Sequence, residues 1–380
     1  MEPRVSETGH STDVAGRSAA ITIAHLLPYD QPRGAQRYAR ELVSQFESGT
    51  DRHVIVTLFE GTPSGLRPDI ELGVKRGWLR TIGFDPLVVR RLRQTFRDLS
   101  PAIVVAHGGE AAKYAAFGVG RTIPLIYLSI GSADSRLTRP VSRAMYRFYT
   151  GRSRLVVAVS QAVADEARHR GVADDKIVVI PNGRVADRYG LSRSSDEGPP
   201  RLIWIGQLDV TKRPETFIAL VASLRRSGLE FEARMVGDGP RAGELAALAV
   251  PEGVEMLGRR EDVPSLLGDS DILVFTGAPP EGMPGVLIEA GMAGLPVVST
   301  RVPGAGEVVD DGKTGVLVDI DDTERLTREV RRLIEDEELR LSMGRRARER
   351  CVQQFSFTAT VGLWQDAYDR VCGVEPGHEP

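Results

Sequence analysis

Cysteine is nearly absent. The 380 residues hold two, Cys351 and Cys372, too few for a disulfide framework, which excludes a small secreted scaffold and points to a reducing compartment. Long apolar runs are missing too: nothing approaches the roughly 18 residues of a membrane-spanning helix. Met1 to Ser18 lack the apolar core of a secretory signal and, being rich in Ser, Thr, Gly and charge, are expected to form a disordered tail. The expected location is therefore the cytoplasm. Net charge is only −3, which gives no argument for a nucleic-acid partner. No G-x-G-x-x-G opens a strand–helix unit, which disfavours a dehydrogenase. No Asp-x-Asp stands in the kind of loop that binds a metal, and no His/Cys cluster has zinc spacing, so neither metal nor other cofactor is expected.

What is present is ordinary globular composition, 41% hydrophobic and 27% charged, in a chain long enough for two cores. From Ala19 onward β-rich runs alternate with amphipathic helical stretches, the pattern of an α/β fold with parallel sheets. One set of strands is read at Ala20 to Leu27, His53 to Phe59, Ile103 to Ala106, Leu125 to Leu128, Leu155 to Val159 and Ile177 to Ile180, with helices at Arg37 to Phe46, Val88 to Leu99 and Gln161 to Gly171. Ser160 is a candidate N-cap for the last. A second set has strands at Leu202 to Gly206, Glu232 to Val236, Val254 to Leu257, Ile272 to Phe275, Pro296 to Ser299 and Thr314 to Val318. Its helices are expected at Pro214 to Arg226, Arg241 to Ala249, Val263 to Leu267, Val286 to Ala293 and Thr323 to Asp336. Two Rossmann-like, doubly wound domains in tandem follow, over 19–188 and 201–350, joined by a polar linker over 189–200. The aromatics Phe355, Phe357, Trp364 and Tyr368 mark the apolar side of charged terminal helices. The segment 351–372 is expected to cross back to the first domain, and 373–380 to fray.

The stretch PPEGMPGVLIEAGMAGLP, from Pro279 to Pro296, carries the most chemistry. Gly282, Pro284 and Gly285 forbid a helix through Glu281, so that carboxylate sits on the loop after a strand. A helix starting near Gly285 or Val286 puts Glu289 in its first turn and leaves backbone N–H groups of Gly285 to Leu287 facing the same space, which suits a phosphate. Ligands of doubly wound sheets bind at those strand ends. Taken alone, Glu289 could equally be a carboxylate favoured by the helix dipole and Glu281 a solvated loop acid.

The segment E-G-M-P-G-V-L-I-E is similar to the E-x(7)-E signature of the retaining glycosyltransferase family four. W-I-G-Q-L followed by Lys212-Arg213-Pro214, the turn Gly237-Asp238-Gly239-Pro240, and P-G-A-G-E with D-G-K-T-G resemble further elements of that family in the same order. The first half is similar in layout, through P-R-G-A-Q-R-Y, V-V-A-H-G-G, V-A-V-S-Q-A-V-A and I-P-N-G. This resemblance implies a GT-B fold, with two Rossmann-like domains facing each other across a cleft, and a nucleotide-sugar donor held by the second. It assigns the donor to Gly34, Gly206, Gln207, Lys212, Gly237, Arg259, Glu281, Gly282, Met283, Pro284, Gly285, Val286 and Glu289. His107, Lys212 and Glu281 are its catalytic candidates, and Arg33 and Glu110 its acceptor contacts. Lys212 would neutralise charge on a departing diphosphate.

There are two departures. Gln207 stands where the family usually has an arginine, with Arg213 or Arg33 as possible replacements, and Ile130 stands where a histidine is usual. The implied activity is transfer of a hexosyl unit, with retention, from a UDP-sugar or GDP-sugar to a glycan, a lipid-linked glycan or a small molecule. A non-catalytic partner subunit and a nucleotide-sugar epimerase of the same fold are the alternatives. Finally, Arg136 to Arg154 carries six arginines among aromatic and aliphatic residues. It reads either as a solvated helix or as a peripheral contact with the inner face of the plasma membrane.

Overall fold

The computed structural model describes residues 20–29, 34–60, 68–75, 84–131, 139–191, 198–279 and 281–374. The calls on Arg33, on Arg136 to Thr138, on the tails 1–18 and 375–380, and on most of the linker, 192–197, lie outside them.

Strands β1 (Thr22–Tyr29), β2 (Arg52–Phe59), β3 (Ile70–Val74), β4 (Ile103–His107), β5 (Leu125–Ser129), β6 (Leu155–Ala158) and β7 (Ile177–Val179) form one parallel sheet in the order β3-β2-β1-β4-β5-β6-β7. Helices α1 (Gly34–Ser44), α2 (Pro86–Leu99), α3 (Gly108–Gly118), α4 (Pro140–Arg152) and α5 (Gln161–His169) connect them. The second parallel sheet holds β8 (Arg201–Ile205), β9 (Glu232–Val236), β10 (Val254–Gly258), β11 (Ile272–Phe275), β12 (Val297–Thr300) and β13 (Gly315–Val318), in the order β10-β9-β8-β11-β12-β13. Its helices are α6 (Pro214–Arg226), α7 (Ala242–Ala249), α8 (Val263–Gly268), α9 (Gly285–Met292), α10 (Ala305–Val308) and α11 (Thr323–Glu335). Because helices cover both faces, central strands such as I-V-V-A-H and I-L-V-F are buried at every position.

Three elements escape periodicity: β3, α3 and α10, the last a single turn too short to show a period. β3 is short and joins β2 across a register shift. α3, G-G-E-A-A-K-Y-A-A-F-G, is buried over most of its surface and so has no polar stripe to reveal a helical period. Ser160 does cap α5, its Oγ accepting from Val163 N.

The chain ends in α12 (Glu337–Phe355) and α13 (Phe357–Cys372). The first packs on α9, where a Cβ on Gly291 would collide with Cys351 Sγ. The break falls at Ser356, whose hydroxyl caps α13, and α13 then lies on the first sheet. There Trp364 Nε1 donates to Tyr38 Oη at 2.9 Å, and Tyr368 packs on Phe46 and His53. Phe355, Phe357, Trp364 and Tyr368 are all buried. The crossing element therefore begins at Phe357, while Cys351 belongs to the helix that supports α9.

In each sheet the strand order reverses once, between β1 and β4 and between β8 and β11. The loops leaving β8 and β11 carry Lys212 and Glu281, while β4 runs directly into α3 at Gly108.

Candidate functional site

The loop after β8 is tightly built. Asp209 Oδ1 accepts from the backbone of Thr211 and Lys212 and from the Thr211 hydroxyl. Thr276 Oγ1, just past β11, donates toward the carbonyls of Lys212 and Arg213 and accepts from buried Trp204 Nε1. Arg213 takes a left-handed backbone, φ 49°, a conformation a non-glycine residue holds only where its surroundings impose it. These contacts aim Lys212 across the switch point at Glu281: Nζ lies 2.5 Å from Oε1, with both side chains about one-fifth exposed. Lys212 Nζ also lies 5.5 Å from the Phe275 ring centre.

The loop carrying Glu281 is wedged against the first domain. Glu281 and Gly131 form an antiparallel bridge. Ser160 Oγ donates to Gly282 O at 3.2 Å. A Cβ on Gly282 would stand 2.7 Å from Gly131 Cα, so only glycine fits this approach. Met283 and Pro284 are buried behind it, and Gly285 and Val286 begin α9. From α10, Glu307 reaches over to accept from the first amides of α5, Gln161 N at 2.8 Å and Ala162 N at 3.1 Å.

Glu289 departs from expectation. It lies just past the first turn of α9, and its Oε1 accepts from Arg184 Nε at 2.8 Å. Arg184, in the loop after β7, is 6% exposed at its side chain. Burial by itself would lower its pKa, but Glu289, Tyr189 and Glu41 more than offset that and hold the guanidinium charged. Glu41 on α1, whose own pKa is raised by burial against the pull of Arg184, also pairs with Arg188 at 2.9 Å. Both domains thus contribute to one buried charged knot. An arginine after P-N-G reads as a solvated loop residue, and only its flanking apolar strand signals otherwise.

The other candidates are more scattered. Gly206 and Gly237 form the strand-end turns, bonding Val236 O and Gly258 O. Gln207 sits half-buried beside them. Arg213 turns away from Glu281, bonding Ile320 O and Asp321 at 2.9 and 3.0 Å. Arg259 is exposed, 3.9 Å from Glu261. Gly34 opens α1 in open space, and Glu110, in the first turn of α3, stands 3.9 Å from Lys113.

His107 requires correction as an accessible catalytic imidazole. It is 2% exposed, and its Nε2 is 3.0 Å from Nδ1 of His25, whose Nε2 is in turn 3.0 Å from Nδ1 of His53. The three imidazoles cross β4, β1 and β2 in a chain. Burial lowers all three pKa values, to about 3 for His107 and about 4 for His53. Ile130 packs on the residue that follows His107: its Cδ1 would be 3.5 Å from a Cβ on Gly108. Histidines in otherwise apolar strands were the signal for this chain, but nothing in sequence says that they meet.

A cavity of about 1200 Å³ lies away from Lys212 and Glu281, between α1 and the segment 261–268. Lys212 and Glu281 lie instead at the β8/β11 switch point, where ligands of doubly wound sheets bind. Among the described residues no group of three or more His, Cys, Asp or Glu is arranged to hold a metal, and no helix is long and apolar enough to cross a membrane.

Comparison with known proteins agrees with this architecture. Residues 32–188 match the family model described as Glycosyltransferase Family 4, and 191–350 the model described as Glycosyl transferases group 1. The chain is 29% identical over 246 residues to the N-acetyl-α-D-glucosaminyl L-malate synthase of Bacillus anthracis, covering 60% of this chain and 63% of that protein. It is 26% identical over 362 residues to the lipopolysaccharide core biosynthesis glycosyltransferase LpsE of Rhizobium meliloti, covering 90% and 96%. The crystal structure of Anabaena HepE in complex with UDP and glucose superposes with a TM-score of 0.78 at 20% identity, over 91% of this chain and 99% of that one.

Proposed function

From the premise that the chain belongs to glycosyltransferase family four and has the GT-B fold, we propose that it transfers a hexosyl unit from a nucleotide diphosphate sugar, with retention of configuration. The observation that carries this reading is the Lys212–Glu281 pair at the β8/β11 switch point, bridged through Glu281 to Gly131 of the facing domain. The donor's diphosphate lies against the start of α9 and its ammonium partner, Lys212; the hexose hydroxyls face Glu281; the ribose diol takes the free oxygen of Glu289. As the bond from the anomeric carbon to the phosphate oxygen breaks, Lys212 meets the charge that develops on the leaving group. The acceptor oxygen bonds to that carbon on the same face, and its proton passes to the leaving phosphate. No metal is required in this scheme, so EDTA leaves the rate unchanged. His107 takes no part in it, and Glu110 is the acceptor contact at the opposite edge.

The acceptor is a glycan, a lipid-linked glycan or a small molecule. The exposed side of α4, with Arg139 and Arg147 beside Val141 and Phe148, at 77% and 43% exposure, suits an anionic lipid surface on the cytoplasmic side. Sedimentation with anionic vesicles, lost on charge reversal at Arg139 and Arg147, tests that contact.

A thermal-shift screen with UDP-, GDP-, ADP- and dTDP-sugars tests the donor assignment, UDP-glucose first. A matching donor raises the melting temperature; no shift with any of them sinks the assignment. The neutral Gln207 and the buried His107 favour one second reading, a donor-binding subunit without turnover. Free nucleoside diphosphate appearing only when acceptor is added separates the enzyme from it.

A further inference from the structure

Arg184 is built into the molecule more firmly than a loop arginine needs to be. Its backbone joins the α12–α13 junction on both sides, N–H to Phe355 O and C=O from Phe357 N, each at 2.9 Å. From there the side chain runs to the start of α9. A guanidinium has five N–H donors in a fixed fork. Here Nε is spent on Glu289 Oε1 at 2.8 Å and one donor of Nη1 on Gly183 O at 2.9 Å. Nη2 has no hydrogen-bond partner among the described residues. It lies across the first residue of α9, where a Cβ on Gly285 would collide with it.

Nearby cations are otherwise engaged or displaced: Lys212 faces Glu281, Arg213 is turned to Asp321, and Arg259 is exposed. A buried ion pair is a weak source of stability when its desolvation is counted, so Arg184–Glu289 is poorly explained as a fastening alone. We propose that Arg184 is a donor-binding residue: Nη2 binds a diphosphate oxygen at the α9 N-terminus, while Nε holds Glu289 with its other oxygen toward the ribose. The first domain thereby supplies the guanidinium that the second lacks at Gln207. This inference rests on the donor reading above.

The test is calorimetric titration with UDP, GDP and their nucleosides uridine and guanosine, on wild type, Arg184→Met, Arg184→Lys and the double variant Arg184→Met/Gln207→Arg. Wild type binds one of the diphosphates; Arg184→Met weakens that binding about 10- to 100-fold and changes nucleoside binding far less. Gln207→Arg in the same chain restores part of the loss by returning a cation to the diphosphate. Equal losses of nucleoside and diphosphate, or no loss, overturn the proposal and leave the donor reading standing. Failure of the wild type to bind either of these diphosphates, or ADP or dTDP titrated in the same way, overturns both. If Arg184→Met does not fold, Arg184→Lys decides: it keeps a charge but not the fork, so an intermediate loss confined to the diphosphate supports the proposal and an unchanged affinity refutes it.

Discussion

The two sheets have the same kind of switch point and treat it in opposite ways. At β8/β11 the second domain exposes charge, a lysine and a carboxylate held apart from water only in part. At β1/β4 the first domain turns its imidazoles inward, threading His25, His53 and His107 across the sheet with His25 and His107 fully buried. The difference shows how a shared architecture divides labour: strand-end position creates the opportunity for a site, and the side chains in the adjoining loops decide which domain presents chemistry and which presents shape.

The most severe way to break that contrast is Lys212→Ala. We expect kcat to fall by about 10² to 10³ with donor affinity far less affected, as for loss of one charge-stabilising donor, while Ile130→Ala on the opposite edge costs much less. Single-turnover measurements with saturating donor distinguish the two; equal losses would mean that the first domain contributes as much to the transition state.

The second test uses the sign of the histidine shifts. His107 and His53 are held neutral in the folded state down to about pH 3 and pH 4, whereas unfolded histidine binds a proton near pH 6.5. Between these values the unfolded chain binds more protons, so stability is complete above about pH 6.5 and is lost as pH falls. Each such histidine steepens the slope by about 1.4 kcal/mol per pH unit. Denaturant unfolding from pH 7 to pH 4.5 should show this slope, reduced in His53→Phe, which keeps the stacking on Phe46 at 4.7 Å. An unchanged slope in that variant would show that the chain is not what couples stability to pH.

The smallest expected effect concerns the join between the domains. Glu307→Ala removes the acceptor of two α5 amides across the cleft and should cost about 1–2 kcal/mol, the scale of a lost helix cap. Small-angle scattering should then report a more open molecule. A compact variant of unchanged stability would show that the Gly282–Gly131 wedge suffices.

Much of this was readable in the chain, and for definite reasons. Continuous apolar strands between amphipathic helices announce parallel sheets, and Gly282, Pro284 and Gly285 announce a loop that ends in a helix start, because their backbone constraints are local. α3 was not readable because burial on nearly every side erases the helical period. Glu289 falls just past the first turn because, in a helix that begins at Gly285, it is the fifth residue. The roles of Arg184, His25 and Glu307 are not legible in sequence because their partners lie 28 to 146 residues away. The local sequence thus determined which segments become strands, helices and phosphate-suited turns. Only the tertiary structure decided which titratable groups meet, since pairing Arg184 with Glu289, Lys212 with Glu281, and three histidines with one another depends on sheet order and domain packing that no short stretch of chain encodes.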